Sequence, residues 1–474
     1  MIFSPPPKKQ FGKQLRISER RLLLMAGDAL GIVLSVYIAL GIWAFVGDIP
    51  FTSDFILSQL FWFALLSVVW FVLAGASDFY DLQVASSLTA SVQRLVVIQL
   101  QMLIVYVLVY FLSEPESLPR LFIVYYAVLS FVLILIWRVV NPALVGWKAF
   151  QRRALIVGTD WAAQEMIQTL RDDRSDAYAV IGVIGEHEPL GHSLGGVAVV
   201  GYGVDILPLV KQHRITEIIL SSTRDLSGEI FQGVMDAYEY GVAITPMPIL
   251  YERMTGRVPI KSVNDNWTVV LPLGQSNSFK LYPFIKRLLD VCVAVLVLPL
   301  LLLMLPIVAL LVRLDSRGPV FYVQTRVGLN GRLFRMVKLR TMAIDAEAQT
   351  GAVFALEDDP RITRLGHIMR KLRVDELPQL YNVLKGDMSL VGPRPERPEH
   401  VARLEQNIPF YRTRHIVRPG VTGWAQVRYH YGLTDDDAHV KLQYDLYYIR
   451  HQSLILDVNI IVRTVGKVLR MTGV

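Results

Sequence analysis

A chain of 474 residues with 53% hydrophobic content and a mean hydropathy of +0.40 is too apolar for an ordinary soluble domain and has room for roughly two to four domains, so a membrane protein is expected. The net charge of +7 suits anionic lipid and phosphate-bearing ligands; nucleic acid is not an expected partner, because the basic residues sit beside apolar spans. The single cysteine, Cys292, excludes an intramolecular disulfide and any multi-cysteine zinc site.

Lys8, Lys9, Lys13, Arg16, Arg20 and Arg21 lead into an apolar stretch too long for a signal-peptide core, and no small-residue cleavage site is evident. The start is not expected to be a cleavable signal. Four stretches near 22–46, 55–76, 91–112 and 119–140 have the roughly 20 apolar residues that a crossing requires. The basic N-terminal segment, Arg94 on the second loop, and Arg138, Lys148, Arg152 and Arg153 after the fourth stretch contrast with loops carrying Asp48, Asp54, Glu114 and Glu116, the last acidic up to Arg120. By the positive-inside rule both ends of this bundle are cytoplasmic. Asp28 lies one turn inside the first span, where an unpaired charge is costly, so neighbouring helices or headgroups are expected to satisfy it, with a functional role as the alternative.

Residues 152–272 change character. Short apolar runs at 154–158, 179–185, 215–222 and 242–248 alternate with amphipathic stretches, the rhythm of a parallel α/β sheet. The first turn, GTDWAA from Gly158, resembles a dinucleotide-binding fingerprint but places Trp161 where glycine would let a pyrophosphate approach. A degenerate Rossmann-like module for regulation or assembly is expected, not an NAD site.

The final third opens with Lys280, Lys286 and Arg287 ahead of the apolar run 288–312, and Arg313 and Arg317 follow it. Length alone would make this a fifth span. Pro299 and Pro306 each remove a helical hydrogen bond, however, and both flanks are basic, which favours both ends on one side. The expectation is a re-entrant helix-break-helix at about 286–314, with either proline making the break.

Residues 316–342 alternate around Phe321 and Phe334 as a hairpin does, with Arg326, Lys338 and Arg340 around it. Residues 359–386 read as helix, with Ile362, Leu365, Met369, Leu372, Leu377 and Leu380 on one apolar side and Pro378 loosening it just after the adjacent acids Asp375 and Glu376. Neighbouring residues on a helix point about 100° apart, so the two acids cannot duplicate each other. The turn Gly392-Pro393-Arg394-Pro395 follows; Pro393 and Pro395 stiffen it, so Arg394 would lose less entropy in gripping a phosphate. In 418–432, Arg418 is a second phosphate candidate, and Trp424 suits an interface, a base or packing. Thr434 ahead of Asp435, Asp436 and Asp437 reads as a helix N-terminus rather than a metal motif, and the closing stretch from Lys441 is amphipathic helix.

The run RVDELPQLYNVLKGDMSLVGPRP (373–395), with KLRTM (338–342) and RPGVTGW (418–424), strongly resembles the bacterial sugar transferase family, the polyprenyl-phosphate hexose-1-phosphate transferases. The resemblance covers nearly the whole chain and is most specific over 280–474; Val374 stands where leucine is common, and both prolines of the apolar run follow leucine where smaller members have Ser-Pro. It implies a membrane α plus α/β architecture: a four-helix transmembrane bundle (1–150), a degenerate Rossmann-like cytoplasmic domain (151–275) and a catalytic domain with a re-entrant helix (276–474).

It also implies hexose-1-phosphate transfer from a UDP-sugar to polyprenyl (undecaprenyl) phosphate, releasing UMP and starting exopolysaccharide, capsule or O-antigen (lipopolysaccharide) synthesis. Asp375 would be the nucleophile, Glu376 would help hold Mg²⁺, and Arg394, Arg340, Lys338, Arg326 and Arg418 would meet phosphates, with Lys338 and Arg340 favoured by the KLRTM match. A covalent carboxylate route splits one hard displacement into two, and an anionic lipid phosphate needs no general base. Expected partners are donor, acceptor and membrane lipids, with the oligomeric state left open between monomer and homodimer, at the bacterial inner membrane with the catalytic domain facing the cytoplasm. A membrane-bound NAD-dependent sugar-modifying protein would need a working dinucleotide loop, and a catalytically inactive scaffold or regulator of polysaccharide export sits poorly with the intact acid pair and basic motifs.

Overall fold

The computed structural model describes residues 17–77, 79–80, 84–85, 88–112, 122–145, 152–172, 178–222, 226–260, 281–343, 359–429, 432 and 434–469. The basic residues Lys8 to Arg16, the loop with Glu114, Glu116 and Arg120, Lys148, and Ser278 and Lys280 at the start of the final third lie outside the described residues. The chain divides into two compact units, Met1–Thr255 and Gly256–Val474.

The first unit begins with helices α1 (Ile17–Val46), α2 (Ser53–Ser58), α3 (Leu60–Ala76), α4 (Leu88–Leu112) and α5 (Phe122–Val145). Three of them hold stretches long and apolar enough to cross a membrane: Arg21–Val46, Leu88–Val107 and Phe122–Asn141. The stretch expected at 55–76 differs. Gln59 N–H bonds back to Ile56 O and Ser58 Oγ donates to Phe55 O, three-residue closures that end α2 and leave α3 with 17 residues. Most of each long helix is left uncovered by protein, as a lipid-facing surface requires.

Their shared core contains Ile32 and Val36 of α1, Trp70 of α3, Ile98 and Met102 of α4, and Tyr126 and Ile134 of α5. Gly27 lets α1 and α5 close together: a Cβ there would lie 2.0 Å from the Trp137 ring. Asp28 finds its partner on the facing helix. Its carboxylate accepts a 2.7 Å bond from Arg138 Nη2, both side chains are fully buried, and the guanidinium stacks 4.0 Å from the Phe79 ring centre. The charge is thus satisfied by a neighbouring helix, and removing one partner leaves the other buried alone.

The rest of this unit is a six-stranded sheet, ordered β3-β4-β2-β1-β5-β6, built from β1 (Arg152–Val157), β2 (Tyr178–Ile184), β3 (Ser193–Leu194), β4 (Val197–Gly201), β5 (Glu217–Leu220) and β6 (Ala243–Pro246). All neighbours are parallel except β3 with β4, a hairpin the apolar runs did not announce. Ala154 and Ile156 join one core with α6 (Trp161–Asp172) and α9 (Met247–Thr255); Leu155 and Val157 join the other with α7 (Ile206–His213) and α8 (Gly228–Glu239). Burial on both faces is why the strands read as unbroken apolar runs. At the first turn Asp160 Oδ1 caps α6 through Ala163 N–H, and Glu188 accepts from the Thr159 hydroxyl.

The second unit opens with α10 (Tyr282–Asp315), 34 residues with Pro299 and Pro306 inside. It bends by 54° between Tyr282–Pro299 and Leu301–Asp315, so the sharp break falls at Pro299, and Pro306 lies within the second arm. The two arms pack on one α/β body. Ala294 joins a core with Phe334, Met336, Leu380 and Val383, and Val312 joins one with Val320, Leu339 and Met369.

Polar anchors hold both ends of α10. Lys286 and the Tyr282 hydroxyl reach Asp457 Oδ2 at 3.0 Å, Arg287 donates to Val383 O and Leu384 O, and Arg340 donates to Ser316 O at the far end. The body consists of the antiparallel hairpin β7 (Phe321–Val327) and β8 (Leu333–Leu339), helices α11 (Arg364–Lys371) and α12 (Gln379–Lys385), the parallel pair β9 (Ser389–Val391) and β10 (Gly420–Thr422), and helices α13 (Pro398–Asn407), α14 (Trp424–Arg428), α15 (Asp435–Arg450) and α16 (Leu454–Leu469). Thr434 and Asp437 form a capping box at the start of α15, so the three acids there serve the helix terminus.

Replacing Asp28 by alanine strands the Arg138 guanidinium and should destabilise the bundle by about 3 kcal/mol, seen as a lower melting temperature of the full chain in detergent, with partial recovery in the Asp28→Arg, Arg138→Asp exchange.

Candidate functional site

The acid pair does not sit on a continuous helix, as the apolar periodicity of 359–386 implied. Helix α11 ends at Lys371, Arg373 adopts a left-handed conformation (φ 53°, ψ 23°), and Val374–Glu376 form one 3₁₀ turn before Pro378 starts α12. The break therefore precedes the acids instead of following them at Pro378. Successive side chains of a 3₁₀ turn diverge by about 120°, so Asp375 and Glu376 face different neighbours.

Glu376 is 6% exposed and ringed by cations. Its Oε1 accepts from Arg394 Nη2 at 2.8 Å and Lys338 Nζ at 3.3 Å, and its Oε2 from Arg373 Nη1 at 3.1 Å. Burial opposes its ionisation, but the charges of Arg394, Lys338 and Arg373 outweigh that and hold the carboxyl well below its ordinary range. Asp375 is 7% exposed and, among the described residues, its carboxylate makes no hydrogen bond or ion pair. Burial and the adjacent Glu376 charge push its carboxyl up, against the pull of Lys338, Arg370 and Arg394. Burial likewise lowers the Lys338 ammonium, opposed by Glu376. Among the described residues, one acid is saturated with hydrogen-bonded cations and its neighbour has no such bond.

Several backbone arrangements bring these groups together. Asn382 of α12 clamps β8, accepting from Val337 N–H and donating to Arg335 O, which sets Lys338 opposite the acid turn. The GPRP turn leaves the end of β9, and the segment 418–423 backs it as the parallel partner strand: Gly392 N–H bonds Thr422 O and Gly420 N–H bonds Pro393 O. The contact is so close that a Cβ on Gly392 would meet Arg418 O at 2.3 Å, which explains why the two glycine-containing motifs occur together. Arg414, buried against Asp445 at 2.8 Å and the Tyr411 hydroxyl at 2.7 Å, also holds Arg394 O at 3.0 Å.

Of the expected phosphate residues, the structure therefore gathers Arg394 and Lys338 on the acid pair. Arg326 turns to Pro395 O and Gln324, supporting the turn from behind. Arg340 ties down the end of α10 at Ser316, and Arg418 donates to Gly386 O at the end of α12. Trp424 is buried, stacked on Tyr447 and bonded to Gly256 O, so it serves packing.

Arg373 and Arg370, the latter bonded to Thr341 Oγ1, were not singled out from the sequence; both lie beside the acids, amid a basic run that offers no local cue. Among the described residues no group of three or more His, Cys, Asp or Glu is poised for a metal. Mg²⁺ of the substrate-bridging kind needs only one or two protein carboxylates, and to serve as one Glu376 would have to share an oxygen now given to its cations.

A family model described as bacterial sugar transferase matches residues 281–471, and one described as a CoA-binding domain matches 75–248. The chain is 43% identical over 254 residues to the UDP-N-acetylgalactosamine-undecaprenyl-phosphate N-acetylgalactosaminephosphotransferase of Aeromonas hydrophila, covering 52% of this chain and 59% of that protein. It is 29% identical over 417 residues to the UDP-glucose:undecaprenyl-phosphate glucose-1-phosphate transferase of Escherichia coli K12, covering 85% and 87%. It is also 43% identical to the exopolysaccharide production protein PSS of Rhizobium leguminosarum bv. phaseoli, covering 38% of this chain and 93% of that protein. The chain spans 59% of the Aeromonas relative's length, and 57% and 35% of two glucose-phosphotransferase relatives from Xanthomonas campestris pv. campestris and Komagataeibacter xylinus. With its motifs assembled in one body and relatives matched over most of their length, the chain belongs to the bacterial sugar transferase family.

Proposed function

We propose that this protein is an integral-membrane phosphoglycosyl transferase that moves a hexose 1-phosphate from a UDP-sugar to undecaprenyl phosphate, releasing UMP, as the first step of surface-polysaccharide assembly. The observation that carries the reading is the asymmetry of the acid pair: among the described residues buried Asp375 has no hydrogen-bond or ion-pair partner, and Glu376 beside it is fixed by three cations. Names of the relatives support the donor and acceptor classes.

In the first displacement an Asp375 carboxylate oxygen attacks the sugar-bearing β-phosphorus, the bond to UMP breaks, and a sugar-phosphoryl-aspartate forms. In the second, an oxygen of the lipid phosphate attacks the same phosphorus and Asp375 leaves. A carboxylate whose affinity for protons is raised by burial is a better nucleophile than an ordinary one once ionised. Arg394 and Lys338 supply positive charge for the diphosphate, and Arg326 and Arg414 hold the turn that carries Arg394. Glu376 would hold Mg²⁺, which supplies neutralisation of diphosphate charge when bound.

In this reading residues 1–150 form a membrane bundle in which the 17-residue α3 makes a fourth crossing, about 26 Å of helix at 1.5 Å per residue. Residues 151–275 form the Rossmann-like domain, and 276–474 the catalytic domain, facing the cytoplasm of the bacterial inner membrane, where UDP-sugars are made. Helix α10 enters and leaves one leaflet: its two arms pack on the same body on either side of a 54° bend, which supports a re-entrant path over a crossing.

The assay is UMP release from UDP-glucose, UDP-galactose and UDP-N-acetylgalactosamine by the full chain in detergent. With the right donor and no lipid, wild type should release UMP stoichiometric with enzyme and retain labelled sugar phosphate; Asp375→Asn should do neither, and EDTA should stop turnover until Mg²⁺ is restored. Turnover by Asp375→Asn would remove it as nucleophile.

Stability should split the pair in the opposite sense. A depressed carboxyl contributes stability above its ordinary value near 4.5 that fades as pH falls through the lower folded value, whereas a raised one opposes folding increasingly as pH rises from its ordinary value near 3.8 through its folded value. At pH 7 Glu376→Gln should cost about 3 kcal/mol, and Asp375→Asn should melt at or above wild type.

Single cysteines at Lys286 and Arg317, in a Cys292→Ser background, should both react with an impermeant label from the cytoplasmic side; reaction from opposite sides would make α10 a crossing.

A further inference from the structure

Arg373 stands at the position after the cap of α11 in a left-handed conformation, φ 53° and ψ 23°. That position ordinarily takes glycine, and a residue with a Cβ is strained there. Its backbone bonds, Arg373 N–H to Arg370 O and Glu376 N–H to Arg373 O, would form equally well with glycine. The turn therefore has no use for a side chain, and what the arginine adds is a guanidinium 3.1 Å from Glu376 Oε2.

Glu376 uses its two oxygens differently. Oε1 is shared by Lys338 and Arg394, and Oε2 belongs to Arg373, which immediately precedes the 3₁₀ turn of the acids. Arg394 is the most exposed of the three, 33% against 23% for Arg373 and 16% for Lys338. It is the one able to turn toward an incoming diphosphate. If it does, Oε1 keeps Lys338, and only Arg373 holds the other edge of the carboxylate and, through the turn, the bearing of Asp375.

We infer that Arg373 is a positioning residue: it fixes Glu376 from the edge opposite Arg394, so that Arg394 can pass to the substrate diphosphate without releasing the acid turn. It touches neither substrate nor reacting atoms. The inference rests on the reading of Asp375 and Glu376 as the reaction centre. Because the contact uses one nitrogen and no fork, a lysine could replace it in part.

The test compares Arg373→Gly, Arg373→Lys and Arg373→Gln in the full chain, by melting temperature and by kcat and KM for whichever of the three UDP-sugars the wild type uses. Arg373→Gly should melt close to wild type, since relief of the left-handed residue offsets the loss of one of the three contacts to Glu376, yet lose roughly tenfold or more in kcat with KM changed less than about threefold, the scale of one hydrogen bond to a charged group. Arg373→Lys should recover most of that loss and Arg373→Gln should not. Wild-type kcat in Arg373→Gly, or lysine no better than glutamine, would overturn the inference. Asp375→Asn separates the two claims: turnover there sinks the reaction-centre reading, whereas an inactive Asp375→Asn beside a fully active Arg373→Gly sinks the role of Arg373 alone.

Discussion

A carboxylate buried to 6% exposure stays ionised only if charge is brought to it, and in this protein three cations from three places converge on Glu376. Lys338 arrives on the second strand of a hairpin, Arg394 on a proline-bounded turn, and Arg373 immediately ahead of the acid turn. Each has its own support: Asn382 clamps the hairpin, β10 and Arg414 back the turn, and the end of α11 sets Arg373. Much of the second unit can be understood as the apparatus that holds these charges within hydrogen-bond distance of one acid. A buried anion so provided for is a fixed reference against which its neighbour, Asp375, can be aimed.

The same unit solves a second problem, keeping an apolar helix against a polar body. The 34-residue α10 has a lipid-soluble middle but polar anchors at both ends, Tyr282, Lys286 and Arg287 on one arm and Ser316 on the other. Arg340 is the link between the two tasks. It leaves β8 two residues after Lys338 and spends its guanidinium on the end of α10, so the strand that brings a cation to Glu376 also secures the membrane segment. In the first unit a comparable economy appears at Asp28 and Arg138, where one ion pair satisfies two charges that lipid could not.

Patterns that depend on local periodicity and chain stiffness were legible without the fold. Apolar length marked the long helices, unbroken apolar runs marked a sheet buried on both faces, alternation marked the β7–β8 hairpin, and Thr434 with Asp437 marked a helix start. The failures were also local in origin. A 3.6-residue apolar rhythm across 359–386 concealed a break, because a left-handed arginine interrupts the backbone without interrupting the hydrophobic face. The stretch 55–76 concealed another at Gln59, where side chains close short turns that composition does not register.

By itself the sequence determined the membrane character, the alternation of strands and helices, and the motifs that belong together, since each follows from residue type at a fixed spacing. Only the tertiary structure decided which basic residues meet the acids. Arg326, Lys338, Arg340, Arg373, Arg394 and Arg418 carry the same charge and nearly the same reach, so nothing in their identity distinguishes a group that pairs with Glu376 from one that caps a helix or props a turn. That assignment depends on where distant backbone segments bring each side chain, because charge pairing requires contact within about 4 Å and contact is a property of the fold.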